Sequence, residues 1–285
     1  MIITHSSCSL FHLCERRYYW RYERGLDPIE EPNYLTIGRI VHNIFQRRYG
    51  QGEEMEAVIA AIKKEEKGAE HDTLQTALFL AIAHDKKWGQ FPHVRPELVE
   101  KVFCWKPARG ILAKGRIDLV TEEKDGLWIV DHKITGAAIE VDYLERAGLD
   151  GQLSWYLLGF QEHTGIRPRG AFINIICRPR TYRRVDESIE TYLGRCASEY
   201  EVNPFGYFHR QATTRDDRLL DEKREEIIRT AHEIRGCKRK KLWVKNDAIC
   251  FLRERRCPYI PLCADGEQPR TLGLFRVKKP HSELD

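Results

Sequence analysis

No hydrophobic run in this sequence approaches the roughly 20 residues that a helix needs to cross a bilayer; stretches such as "AFINIIC" stop far short. The opening "MIITHSSCSLFHLCERR" has no basic segment leading into an unbroken apolar one, which argues against a secretory leader and gives a cytoplasmic expectation. There is no internal repeat and no low-complexity linker. A GxxxxGK[ST] signature is missing, so any unwinding of a duplex would come from another chain. Nine cysteines are present without a single CxxC pair, the usual spacing of zinc ribbons and knuckles. Their odd number, in a reducing compartment, also argues against a disulfide framework.

What remains is a globular composition: 285 residues, 42% hydrophobic and 32% charged, enough for one substantial core or a core with a helical annex, and no membrane partner. The net charge of +4 is modest, but its distribution is uneven. "IRGCKRKKLWVKN", Ile234–Asn246, carries six Lys/Arg and no acid, either as a solvated helix face or as a phosphate track beside Trp243.

Along the chain, residues 6–24 read as a Ser-capped, aromatic-rich helix, and 36–49 place Ile40, Val41, Ile44 and Phe45 on one stripe with His42 beside it. Two further helices fill 53–89. The texture then changes to three short β-rich segments, "ELVEKVFCW", "ILAKGRIDLVTE" and "LWIVDHKIT", separated by "KPARG" and "EKDG" and expected to form an antiparallel meander. A helix over 147–165, a strand "GAFINIICR" and a mostly helical 182–245 follow, with "NPFGYFHRQATT" as an extended insertion. The segment after Gly266 reads as loosely held. The expectation is an α/β core with a mixed sheet in a single domain over 1–285. Its parts are helical 1–90, a catalytic sheet core 91–180, a helical and cysteine-bearing 181–265, and a tail 266–285.

The chemistry sits where an apolar strand ends in an acid and a base. Asp118 lies near the end of the second strand and Asp131 at the end of the third, so an antiparallel pairing across "EEKDG" sets two carboxylates side by side. Two such acids repel, and a divalent cation between them relieves the repulsion. Lys133, two residues on, leaves the same strand face and can hold or polarise a water. Taken alone, a D…DxK pattern more often describes two surface acids flanking a turn. Glu100 shares its expected strand face with Val102 and Cys104, as a supporting acid or a structural ion pair.

Four segments in order, "GRIVH" (38–42), "GRID" (115–118), "DHK" (131–133) and "QLSWY" (152–156), resemble the RecB-like branch of the PD-(D/E)XK nucleases over nearly the whole chain. The resemblance, to the CRISPR-associated and phage exonuclease type, implies a restriction-endonuclease-like core. His42, Asp118, Asp131 and the main-chain carbonyl of His132 would be metal ligands for Mg²⁺ or Mn²⁺. Lys133 would orient the attacking water, and Gln152 and Tyr156, at i and i+4, would position DNA or support Lys133. An Asp stands at 131 where relatives often carry Glu, which shortens the reach to the metal.

The cysteines fit the same resemblance. Cys250, Cys257 and Cys263 in "CFLRERRCPYIPLC", with Cys14 far upstream, resemble the iron–sulfur staple of part of this family, and imply a [4Fe–4S] cluster joining the chain's two ends. Cys8 is the alternative fourth ligand and Zn²⁺ the alternative occupant. Lys238, Arg239, Lys240, Lys241, Arg253, Arg255 and Arg256 would border the DNA path, and Tyr18, Trp20 and Tyr22 would either stack on unpaired bases or pack internally. The implied activity is a DNA exonuclease acting on single-stranded or frayed ends, in recombination, repair or CRISPR adaptation, with a recombination, helicase or integration partner. The alternatives are an endonuclease or flap nuclease of the same fold and a non-catalytic DNA-end-binding iron–sulfur protein.

Overall fold

The computed structural model describes residues 1–136, 141–251 and 256–284, with no side-chain description for 141–144 and 283. In chain order its main elements are β1 (Ile2–Thr4), α1 (His5–Leu13), α2 (Glu15–Tyr18), β2 (Leu26–Pro28), α3 (Asn33–Phe45), α4 (Met55–Glu65), α5 (His71–Trp88), β3 (Lys101–Trp105), β4 (Leu112–Ile117), β5 (Leu119–Glu123) and β6 (Gly126–Thr135). They continue with α6 (Val141–Leu149), α7 (Gly151–Thr164), β7 (Gly170–Cys177), α8 (Ile189–Val202), β8 (Phe208–Thr213), α9 (Asp217–Lys240), α10 (Ile260–Asp265), α11 (Pro269–Leu272) and β9 (Phe275–Val277). The chain forms two compact units: Pro32–Lys101 with Arg116–Asp216, and Met1–Glu31 with Val102–Gly115 and Asp217–Asp285.

The larger unit is a four-stranded mixed sheet, β5-β6-β7-β8, with helices packed on it. β5 and β6 are antiparallel through the tight "EEKDG" connection, β6 and β7 parallel across α6 and α7, and β7 and β8 antiparallel. β6 is flanked on both edges, and Ile129, Val130, Asp131 and His132 are all buried, which is why its body reads as a continuous apolar run rather than an alternation. The stripe on α3 (Ile37, Ile40, Val41, Ile44, Phe45) packs with α4 and α5 into the same core as Leu119 and Val130. The residues 203–214, expected as an extended insertion, supply the sheet's fourth strand, β8.

The expected three-stranded meander is corrected here. "ILAKGRIDLVTE" breaks at Asp118 into β4 and β5, which belong to different sheets: β3 and β4 join β1 as β1-β4-β3, while β5 turns into the mixed sheet. In the smaller unit β1 pairs parallel with β4, Ile3 opposite Ala113. Gly115 is required there, because a Cβ would stand 2.4 Å from the Phe103 ring.

Two further expectations change. The helix over 6–24 stops at Cys14, which is extended (φ −166°, ψ 112°), before α2 and a π-helical turn resume. The segment after Gly266 is not loose: α11 leads into β9, antiparallel to β2, and Phe275 packs with Tyr259, Leu262, Trp20 and Leu26 in the smaller unit's own core.

Candidate active site

The candidate site lies wholly within the larger unit. With Leu119 opposite Val130, the β5–β6 register carries Asp118 to the position across from Asp131, as the sequence suggested. Asp118 Oδ2 accepts the His132 backbone N–H at 2.7 Å, and its other oxygen is 3.5 Å from His42 Nδ1. His42 comes from the core-anchored α3, held by its fully buried neighbours Ile40, Val41 and Ile44. Glu100 completes the group: its carboxylate is 3.7 Å from His42 Nδ1 and 2.9 Å from Arg116 Nε, and its N–H donates to the Asp118 carbonyl. Glu100 is not on a strand face as expected. It takes a left-handed backbone (φ 50°) just before β3, an uncommon conformation for a side-chain-bearing residue.

One donor atom from each of His42, Glu100 and Asp118 falls within 4.8 Å of the others, two oxygens and an imidazole nitrogen suited to Mg²⁺ or Mn²⁺. Glu100, expected only as a supporting acid or a structural ion pair, thus stands in the donor group where the sequence placed Asp131. In the structure Asp131, with its side chain only 2% exposed, is turned towards Lys133, whose Nζ lies 2.9 Å from Oδ2. Lys133 Nζ also donates to Gln152 Oε1 (2.5 Å), and Gln152 Nε2 donates to the Tyr156 hydroxyl (2.5 Å). The start of α7 fixes Gln152, because Asp150 caps the helix by accepting the N–H groups of Gln152 and Leu153.

Electrostatics follow from the crowding of acids in a dry site. Burial, reinforced by Asp131 and Glu100, pushes Asp118 up to about 7, against the pull of His42 and the His132 N–H. Burial would lower His42, but Asp118, Glu100 and Asp131 outweigh it and raise the ring to about 9. Burial raises Asp131 despite Lys133, and Lys133 itself is held above its ordinary value, so it stays charged. The set therefore stores protons that a divalent cation would displace.

Behind the site, His132 points its ring into the core. Asn174, in register with it on β7, donates to His132 Nδ1 (2.7 Å) and to His84 Nε2 (2.9 Å). Arg210, in register on β8, donates to Asn174 Oδ1 and lies 3.7 Å over the Phe91 ring. Since Arg210 can only donate, it fixes the amide orientation. No sequence reading singled out this row, because a lone Asn in an apolar strand carries no spacing signal.

The smaller unit holds the four cysteines of the expected cluster. Cys14, Cys250, Cys257 and Cys263 line one cavity of about 50 Å³ together with Arg17, Lys245 and Tyr259. Cys8 is buried elsewhere, hydrogen-bonded to Ser7, and does not line it. Trp20 Nε1 donates to Cys263 Sγ at 3.4 Å, and Lys245 Nζ to the Cys263 carbonyl. Tyr18 and Trp20 are buried, Tyr22 stacks on His281, and Trp243 is buried against Tyr18, so these rings pack internally rather than facing a strand of bases. Lys238, Arg239 and Lys240 are exposed at the end of α9, with Lys238 paired to Glu23 and Lys241 in a left-handed turn just beyond. Arg256 is exposed, and Arg253 and Arg255 lie outside the described residues.

A strand pair closed by a tight turn, then a parallel neighbour across two helices, then an antiparallel edge, with acid and lysine on the inner strand, is the core of the restriction-endonuclease-like class. Within that class the chain belongs to the PD-(D/E)XK nuclease superfamily, which its residues 2–264 match. It is also similar in fold to a crystal structure from Eubacterium rectale described as a candidate exonuclease, with a TM-score of 0.54 and 14% identity over 94% of each chain. A second solved structure, SSO0001, gives a TM-score of 0.32 and 14% identity over 74% of this chain and 79% of its own, too low to carry an argument. No curated protein matches the chain in sequence. Among the described residues no helix is long and apolar enough to cross a membrane.

Proposed function

We propose that this nuclease is a Mg²⁺- or Mn²⁺-dependent DNA exonuclease acting on single-stranded or frayed ends. The observation that carries the reading is the His42–Glu100–Asp118 group beside the hydrogen-bonded Asp131–Lys133–Gln152–Tyr156 chain, buried at its two ends. The donor set suits a hard divalent cation, with His42, Glu100 and Asp118 as side-chain ligands, Asp131 able to join by turning from Lys133, and the His132 carbonyl as the main-chain contribution. When bound, such a cation supplies Lewis acidity for activating water and offsets charge on the phosphate. The chain's own residues do the rest. Lys133, charged and held by Gln152, orients the attacking water and meets the negative charge that grows on the phosphate oxygens. Tyr156 fixes the Gln152 amide so that its oxygen faces Lys133.

For the cysteines, the reading is a structural [4Fe–4S] cluster on Cys14, Cys250, Cys257 and Cys263. Arg17 Nε, buried at the cavity without a hydrogen-bond partner, suits an anionic four-thiolate centre. The four sulfurs surround a cavity and are not among the groups gathered within 4.8 Å, which a single Zn²⁺ with bonds of about 2.3 Å would require. The likeness to the Eubacterium rectale protein supports the exonuclease form of the activity. The CRISPR-associated or phage branch, and with it a recombination, helicase or integration partner, belongs to the same reading.

The test is degradation of linear and circular single-stranded DNA by anaerobically purified protein with Mg²⁺ or Mn²⁺, beside Asp131→Ala. Loss of linear DNA alone, and only with the unsubstituted protein, is the expected result. Cutting of circles assigns an endonuclease; silence with DNA still bound assigns a binding module.

A further inference from the structure

β7 runs parallel to β6, so the loop that leaves it emerges at the end of the sheet where Asp131 and Lys133 lie, the end at which open parallel sheets place their ligands. That loop, "RPRTYRRV" (178–185), carries four arginines and no acid. The register sets Lys133 opposite Ile175 and Thr135 opposite Cys177, and Arg178 N–H donates to the Thr135 carbonyl at 2.7 Å. Arg178 therefore stands about 7–10 Å beyond Lys133 along the strand direction. Its guanidinium lies directly over Gly136, where a Cβ would meet Nη2 at 2.5 Å.

The loop is pinned from beneath. Tyr192 donates to the Thr181 carbonyl (2.9 Å), Thr181 Oγ1 to Glu199, Arg195 to the Tyr182 carbonyl (3.2 Å), and Arg183 Nε to the Glu187 carbonyl (2.6 Å). The acids that touch the loop are engaged: Glu187 accepts two bonds from Arg195 and one from the Arg184 N–H, Glu199 accepts from Thr181 and Tyr207, and Asp72 pairs with Arg183. On this fixed backbone Tyr182 is 91% exposed. A large aromatic held in solvent by its own anchored main chain, among arginines, suits a base stacked on the ring and phosphates on either side.

We propose that loop 178–185 is a single-strand DNA contact beside the candidate site: Tyr182 stacks on an unpaired base, and Arg178 and Arg184 hold neighbouring phosphates. This deepens the nuclease reading and rests on it. The test uses the full chain carrying Asp131→Ala, to prevent cleavage, and measures fluorescence anisotropy of a labelled oligo-dT strand and of a blunt duplex of equal length. Adding Tyr182→Ala weakens single-strand binding about tenfold and leaves duplex binding within about twofold, Tyr182→Trp restores it, and Arg184→Ala lowers the salt slope by about one. Unchanged single-strand affinity in Tyr182→Ala, equal losses on strand and duplex, or no single-strand binding by the parent overturns the proposal. If the parent binds strand and Tyr182→Ala does not, while the unsubstituted protein cuts no DNA with Mn²⁺, the loop assignment stands and the nuclease reading falls.

Discussion

Asp118 faces His42 and Glu100 while accepting the His132 N–H, and both Asp118 and His42 hold protons beyond their ordinary range. Asp118 keeps its proton until pH climbs past about 7, and His42 until about 9. A bound cation needs the carboxylate and the neutral ring, so binding strengthens as pH rises. We expect Mn²⁺ binding to release two protons below pH 7 and one between 7 and 9, levelling above that. Calorimetry in buffers of different ionisation enthalpy counts them; an affinity that stays flat from pH 6 to 9 would remove His42 from the ligand set. At Lys133 the expectation is kinetic. Lys133→Ala lowers kcat by about 10²–10³, the size of losing one oriented donor at the reacting phosphate, while Mn²⁺ affinity holds. Equal losses in kcat and in metal affinity would make Lys133 a structural counter-ion of Asp131 and nothing more.

β6 shows what an element adds to its residues. Asp131 and Lys133 work from one face, and His132 between them is locked from the other by Asn174, His84 and Arg210. Replacing Asn174 by Leu leaves both rings and the guanidinium without the amide, and each buried orphan costs about 1–3 kcal/mol. Asn174→Leu therefore lowers stability by about 2–4 kcal/mol in urea unfolding and slows DNA cleavage, because the His132 N–H that orients Asp118 loses its support. A variant with native stability and rate would show the row to be dispensable. The sequence made "DHK" and "QLSWY" legible through their resemblance, in order and spacing, to the PD-(D/E)XK nucleases; taken alone, each reads as an ordinary strand end or helix face. It offered Glu100 only as a supporting acid or an ion pair, because its place depends on a left-handed backbone, and it hid the strand break at Asp118. Nothing local marks that break: no Gly or Pro stands there, and β4 leaves the meander because β1, more than a hundred residues upstream, pairs with it.

Across the whole molecule, the smaller unit is assembled from three stretches of chain, and one of its core clusters joins the first to the last: Trp20 and Leu26 pack with Cys257, Tyr259, Leu262 and Phe275. Two of those stretches carry the cysteines, Cys14 on the first and Cys250, Cys257 and Cys263 on the last. The proposed cluster on all four would close a chain loop of more than 200 residues, a constraint worth about 5 kcal/mol if it acts on the unfolded state as a disulfide does. Burial and the neighbouring thiols raise Cys250 and Cys257, so without a metal centre these groups stay protonated and contribute no such tie. Cys257→Ala or removal of iron is therefore expected to abolish visible absorbance and to expose the Trp20 and Tyr259 region to proteolysis. The α3–β6–β7 core of the larger unit, built on Ile40, Val130 and Ile176, keeps its protection because its packing involves no cysteine ligand. Hydrogen exchange on both forms reads the two units separately. Unaltered exchange around Trp20, with iron gone, would leave the four cysteines without a structural role; a uniform loss across both units would mean that the chain folds only as a whole.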